Sequence, residues 1–282
     1  MYIHDAELKE SLRRPLPIIV VLLSNWVLSP AVGLLSGILF LSNTQYFMTG
    51  VILLFIGSSI SMVIYWNKLA GGYLSLAKAT VLLNFILILI IYPLFVYFLL
   101  GVERIPVSIE IIFFGVFIFF ITPFLIGLIA KKYFVTKKGL EHYNSALKFK
   151  LSKISICGFS LMLIILYTVQ GNIMIHHWTN FLLITLPIIF GYIMLYCFNI
   201  LLSRLLKFNF AETVSTVIIG SGNQYELAIA TASVAFGLLS DVTFATSIGP
   251  LLEVPLMLIV VNLALRFKNK RIIGSRLKAV ED

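Results

Sequence analysis

The chain has 282 residues, of which 60% are hydrophobic and 12% charged, and its mean hydropathy is +1.04. A single soluble core cannot bury so much apolar surface, so the composition excludes an ordinary soluble domain. The net charge of +9 does not indicate nucleic acid, because the basic residues lie in short loops beside apolar stretches and no recognition fold accompanies them. Membrane lipid is the partner that this composition predicts.

Apolar stretches long enough to cross a hydrocarbon core about 30 Å thick recur along the chain. They predict an all-α polytopic membrane protein with eight transmembrane helices, at residues 17–41, 46–66, 79–100, 109–130, 154–172, 179–203, 213–237 and 243–265. No small-residue cleavage site follows the first stretch, so we expect it to stay in the protein. Residues 1–282 are thus predicted to form a single transmembrane domain with a basic tail at 267–282.

The basic residues orient the predicted helices. If residues 1–16 are cytoplasmic, Arg104 is the only one of the 21 Lys and Arg residues that falls outside. The positive-inside rule therefore predicts a multi-pass protein of the cell membrane with both termini in the cytoplasm.

Two of the predicted spans contain runs that disfavour a continuous helix. Span two contains GSSIS at 57–61, and span seven contains GSGNQ at 220–224, followed closely by Glu226. Close helix packing is the alternative reading of such small residues, although it does not explain a carboxylate inside the membrane. The two spans lie five helices apart and so run in opposite directions, as an inverted repeat of five-helix units requires. The pattern predicts two discontinuous helices around a midplane site.

A second acid, Glu253, lies inside span eight between Pro250 and Pro255, which remove backbone donors and predict a kink. Glu253 and Glu226 form a pair of membrane carboxyls able to carry protons or hold Na⁺, although Glu253 could instead be a neutral acid bonded to a freed carbonyl. Asn25 in span one either lines the site or bonds between helices.

Four segments carry a family resemblance. They are NWVLSP at 25–30, Met62-Val63 with WNKLAGG at 66–72, NQYELAIA at 223–230 and GPLLEVP at 249–255. At these positions the chain resembles the arsenite-efflux permeases of the arsenical-resistance type, within the bile-acid/sodium symporter superfamily, from Ala6 to Arg266.

The resemblance implies a ten-helix inverted repeat with two crossed, discontinuous helices, and export of trivalent metalloid by cation exchange. It implies that Glu226 is the acid of the second crossed helix, Asn223 its polar partner and Glu253 the acid of the last helix. Gln224, Ser58, Ser59 and Asn25 complete the candidate substrate and ion site, with no metal site, no catalytic residue and no cofactor besides coupling H⁺ or Na⁺.

The chain departs from the family pattern in two respects. It begins just before the family's third helix, which leaves an incomplete first repeat at 1–135 against a second repeat at 150–266. Either the scaffold domain is incomplete, or an upstream start codon, a homo-oligomer or a separate subunit supplies the missing helices. The family's Arg-Cys pair is replaced by Ser58-Ser59, so the thiolate expected to bind arsenite is absent and the substrate stays open.

The leading hypothesis is a cation-coupled exporter of arsenite or a related small inorganic solute. The alternatives are an organic-anion or bile-acid-like sodium symporter and a non-transporting truncated paralogue. An enzyme is disfavoured, because neither a pair of membrane aspartates nor a His-Glu-x-x-His helix is present.

The predicted orientation is tested by labelling single cysteines in a background that lacks Cys157 and Cys197. Cysteines at Asn43, Glu103 and His176 should react with an impermeant thiol reagent added outside intact cells, and cysteines at Lys138 and Lys207 should not. The reverse pattern would overturn the orientation.

Overall fold

The computed structural model describes residues 15–60, 62–102, 109–142, 148–176 and 178–281, nearly all of them helical. The predictions for residues 1–14, Ser61 and Arg104 fall outside these described residues. The helices are α1 (Pro15–Leu41), α2 (Gln45–Ile56), α3 (Met62–Ala70), α4 (Leu74–Val102), α5 (Ile109–Val116), α6 (Thr122–His142), α7 (Lys148–His176), α8 (Trp178–Leu205), α9 (Phe210–Gly220), α10 (Tyr225–Phe236) and α11 (Asp241–Glu281).

The structure confirms the all-α prediction. Four helices of the described residues are long and apolar enough to cross a membrane: Pro15–Leu41, Leu74–Leu99, Trp178–Leu205 and Asp241–Asn269. Spans two and seven are divided at the predicted breaks, into α2 and α3 and into α9 and α10. Large apolar side chains are exposed along the outer helices, as at Phe98, Ile129 and Leu205, which are 66%, 69% and 67% exposed. Such surfaces suit lipid rather than water.

The described residues contain two π-helical turns, at Ser24–Leu28 within α1 and at Phe117–Ile121 between α5 and α6. Each is followed by a hydroxyl residue and a proline, Ser29-Pro30 and Thr122-Pro123. A proline cannot donate to the preceding turn, and a locally widened turn absorbs the missing bond. The turn in α1 moves Ser24 and Asn25 toward the breaks in spans two and seven.

The last helix, α11, is longer than the predicted span. It runs through Pro250 and Pro255, as the uninterrupted span 243–265 predicts, and it continues through the basic tail to Glu281. The helix before the second break, α9, begins with a capping box. The Asn209 side chain accepts from the Glu212 backbone N–H, and the Glu212 side chain accepts from the Asn209 backbone N–H, both at 3.0 Å.

Phe55, near the end of α2, packs in the core between α1 and α8. Its ring is fully buried, and a Cβ added at Gly33 in α1 or at Gly191 in α8 would meet it. The ring of Tyr192 packs against it at a centroid distance of 5.6 Å. The two glycines therefore let α1 and α8 close on α2, which fixes the end of the broken helix.

A close approach of α2 to α11 gives a test of this packing. A Cβ on Gly50 would lie 2.5 Å from the Ala245 Cβ and 2.7 Å from the Val242 carbonyl oxygen, so backbone must move. We expect Gly50→Ala to lower the melting temperature in detergent, with an overpacking cost of about 1–3 kcal/mol. Gly127→Ala, which meets nothing within 4 Å at an exposed position inside α6, is the matched control and should not lower the melting temperature. Equal stability of the two variants would contradict the α2–α11 contact.

Candidate functional site

The breaks in spans two and seven meet and pair with each other. The Ser59 backbone N–H donates to the Gly222 carbonyl at 3.0 Å, and the Gln224 N–H donates to the Gly57 carbonyl at 2.9 Å. Ser58 and Asn223 lie opposite each other as an antiparallel bridge. The two extended segments therefore satisfy part of each other's backbone inside the helix bundle, where water would otherwise be needed.

Four helix ends surround this pairing. α2 and α9 end at the breaks, and α3 and α10 begin there. The Gln224 side chain accepts from the Ile60 N–H at 3.0 Å, just before α3 begins. The starts of α3 and α10 bring the positive ends of two helix dipoles to one region, which favours anionic or electron-rich groups there.

Hydroxyl groups from α1 satisfy the carbonyls at the two C-terminal ends. Ser29 Oγ donates to the Phe55 carbonyl in α2, and Ser24 Oγ donates to the Gly220 carbonyl in α9, each at 2.7 Å. α1 therefore bonds one carbonyl of each broken helix, and the π turn provides the register that brings both hydroxyls to the crossing.

A buried polar layer continues from Ser58. Asn84 Nδ2 donates to Ser58 Oγ at 2.7 Å, and Trp26 Nε1 donates to Asn84 Oδ1 at 3.0 Å. In the amide orientation that satisfies both of its polar atoms, the Asn25 side-chain oxygen accepts from Ser58 Oγ at 2.8 Å, and its nitrogen donates to the Ile219 carbonyl at 3.1 Å. Asn25 thus bonds both broken helices, as one of the two sequence readings predicted.

Asn199 of α8 completes the layer on the span-seven side. Its Nδ2 donates to Ser24 Oγ at 2.8 Å and to Ser221 Oγ at 3.1 Å, and it is fully buried. The asparagine therefore connects α8 to both α1 and the second break.

Both candidate acids lie beside the crossing. Glu226 is in the first turn of α10, where the helix dipole favours a carboxylate, and its side chain is half-buried. Glu253 of α11 is only 3% exposed and accepts from the Tyr192 hydroxyl at 3.1 Å. The Asn223 N–H also faces Glu253, and the two carboxyls are close enough for their charges to interact.

No Lys or Arg of the described residues forms an ion pair with either carboxyl. The Asn223 Nδ2 is buried and forms no hydrogen bond among those residues, although it lies near the Tyr192 hydroxyl. A buried acid without a basic partner is costly unless a proton, a cation or hydrogen bonds compensate it. The region can therefore accept a small cation or a proton.

The structure brings the predicted residues into one region. Asn25, Ser58, Ser59, Asn223 and Gln224 lie at the crossing, and Glu226 and Glu253 flank it. Ser59 is 4% exposed, and its Cβ lies 3.1 Å from a Cβ built on Gly222. Packing of the break and lining of a site are both compatible with that position.

Sequence reasoning did not identify Ser24, Asn84, Tyr192 or Asn199. A signal was present for two of them, since Asn84 and Asn199 are isolated amides inside long apolar stretches. Serine and tyrosine give no comparable signal, because both are common at helix interfaces.

Comparison with known proteins identifies the family. The family model for the sodium bile acid symporter family matches residues 2–177. The arsenical-resistance protein Acr3 of Alkaliphilus metalliredigens is 29% identical over 270 residues, which cover 92% of this chain and 76% of that protein.

Two further relatives match across most of the chain. An uncharacterized transporter of Synechocystis is 26% identical over 92% of this chain and 72% of its own length. The arsenical-resistance protein Acr3 of Corynebacterium glutamicum is 25% identical over 84% of this chain and 67% of its own length. These identities are too low to fix a substrate. The chain belongs to the sodium bile acid symporter family, a family of transporters.

Proposed function

We propose that the chain is a cation-coupled secondary transporter whose solute binds at the crossing of the two broken helices. The observation that carries the proposal is the pair of carboxyls, Glu226 and Glu253, beside the crossing without a basic partner among the described residues. Protons or Na⁺ would compensate these acids, and their binding and release would couple solute movement to an ion gradient.

The proposed architecture has eight membrane spans derived from a five-plus-five inverted repeat. Spans two and seven are its crossed helices, in which α2 and α3 correspond to α9 and α10. In the predicted orientation both termini are cytoplasmic. The opposite directions of the two broken spans and their antiparallel pairing support this arrangement.

The proposed substrate is arsenite or a related small metalloid, moved out of the cell. Two relatives are named for arsenical resistance. Trivalent arsenic is a soft acceptor that prefers thiolate, whereas Ser58 and Ser59 offer only hydroxyls. We therefore propose that the solute is held as a hydroxide or oxyanion through hydrogen bonds, rather than through sulfur.

The second candidate is a sodium-coupled symporter of organic anions, which the family's description favours. A non-transporting paralogue is the third. Uptake into everted vesicles distinguishes these three candidate functions. The solutes are arsenite, antimonite, arsenate and taurocholate, each measured with and without Na⁺ and pH gradients. Gradient-driven arsenite or antimonite uptake supports the proposal, taurocholate uptake supports the second candidate, and no flux of any solute supports the third.

Glu226→Gln tests the coupling site. The amide keeps the shape of the side chain but cannot titrate or carry charge, so we expect gradient-driven flux to be abolished while the protein still inserts. Glu110→Gln is a matched control, because Glu110 is also an acid in the first turn of a helix, α5, but its side chain is exposed. Full flux in Glu226→Gln would remove that carboxyl from the mechanism.

Ser59→Cys tests whether residue 59 contacts the solute. A thiolate at the site should increase arsenite transport and make it sensitive to thiol reagents, and Ser59→Ala should change apparent affinity with little loss of folded protein. Ser36→Cys, at a fully buried serine of α1 that bonds the Gly33 carbonyl, is the control. If Ser59→Cys behaves like Ser36→Cys, residue 59 only packs the break.

A further inference from the structure

A long apolar groove runs between α8, α9 and α11, separate from the polar layer at the crossing. Its volume is about 910 Å³, and its walls include Ile193, Ile200, Val217, Leu256 and Leu263. Small-ligand sites commonly have volumes of roughly 300–1,000 Å³, so the groove can hold a substantial molecule.

The groove has the dimensions of one membrane leaflet. On α8 its lining extends from Ile193 to Arg204, and on α11 from Leu256 to Phe267. At 1.5 Å per residue each stretch is about 17 Å long. Half of the hydrocarbon core is about 15 Å thick, so the groove spans the depth of an acyl chain and reaches the level of the headgroups.

The rim of the groove is apolar and open. Ile200, Ile259, Leu263 and Phe267 all line it, and their side chains are 38%, 54%, 47% and 61% exposed. On helices as apolar as α8 and α11, such exposed side chains face lipid, and a lipid can therefore enter the groove sideways without crossing a polar barrier.

Two cations lie at the end of the groove where α8 leaves the apolar region. Arg204 and Lys207 line it there, both are exposed, and neither pairs with an acid among the described residues. Lys207 also has a φ of 55°, and the Phe208 N–H bonds the Ser203 carbonyl across it at 2.9 Å. Glycine is usual at this helix-ending position, because a residue with a Cβ atom is strained in the left-handed conformation. Lys207 adopts this strained conformation and places a charge at the end of the groove.

We propose that this groove binds an anionic phospholipid from the leaflet on the basic side of the protein. An acyl chain lies along α8 and α11, and the headgroup phosphate binds Arg204 and Lys207. Charge complementarity selects this occupant, because a zwitterionic lipid would fill the apolar walls equally well, but the cationic group of its headgroup would lie beside Arg204 and Lys207 and offset the attraction of its phosphate. The site is independent of which solute the protein transports.

Native mass spectrometry of the purified full chain, released from nanodiscs with equal phosphatidylglycerol and phosphatidylcholine, tests the proposal. The unaltered chain should retain phosphatidylglycerol preferentially. Removing both charges with Arg204→Gln and Lys207→Gln should reduce that preference roughly 20- to 30-fold, at roughly fivefold per charge. Lys68→Gln with Lys132→Gln removes the same charge from exposed lysines outside the groove and should leave it unchanged.

Two further variants keep the test decisive. Lys207→Gly removes a cation while relieving the backbone strain, so it should stay folded yet lose roughly fivefold in phosphatidylglycerol retention. Ala264→Trp fills the groove and should reduce retention of both lipids, unlike Leu258→Trp on the same helix outside it. Three results would each overturn the proposal. The first is unchanged lipid retention in the charge variants, and the second is an equal loss of retention in the Lys68 and Lys132 control. The third is that Ala264→Trp displaces no lipid.

Discussion

Two backbone hydrogen bonds between the breaks of spans two and seven determine the arrangement of the rest of the structure. In a membrane, an interrupted helix is tolerated only where its freed backbone groups find partners inside the protein. Here each break pairs with the other, Ser59 with Gly222 and Gln224 with Gly57. This pairing places four helix ends at one point. It also explains the other features near the crossing, since the remaining free groups need partners from α1, α4 and α8.

The polar groups around the crossing fall into two classes, those that bond the broken spans and the two carboxyls beside them. Ser24, Ser29 and Asn199 bond carbonyls or hydroxyls of the broken spans, and these contacts hold the two breaks together. Glu226 and Glu253 differ, because neither has a basic partner among the described residues. A carboxyl retained in such a place costs stability unless an ion or proton is bound, and this cost is the physical reason to expect ion coupling here.

The sequence predicted the features that depend on composition and local propensity. The apolar stretches predicted the helices, and the Gly/Ser runs at 57–61 and 220–224 predicted both breaks. The antiparallel pairing itself could not be predicted, because it depends on tertiary contact between segments far apart in the chain. The π turn at Ser24–Leu28 was missed, although Ser29-Pro30 and Thr122-Pro123 now identify a shared pattern. The uninterrupted span at 243–265 was predicted, but the extension of α11 to Glu281 was not, because the charged residues of the tail give no apolar signal.

The crossing exists only if the two breaks are in contact. A Cβ on Gly57 would lie 3.1 Å from the Gln224 Cβ, a few tenths of an ångström short of disulfide spacing. We would introduce Gly57→Cys with Gln224→Cys into a chain lacking Cys157 and Cys197, with a protease site within 143–147. After mild oxidation and cleavage, the fragments should stay joined until reductant is added. Gly57→Cys with Ser233→Cys, about 13 Å further along α10, should release them. Separation of the fragments in the first pair would contradict the crossing.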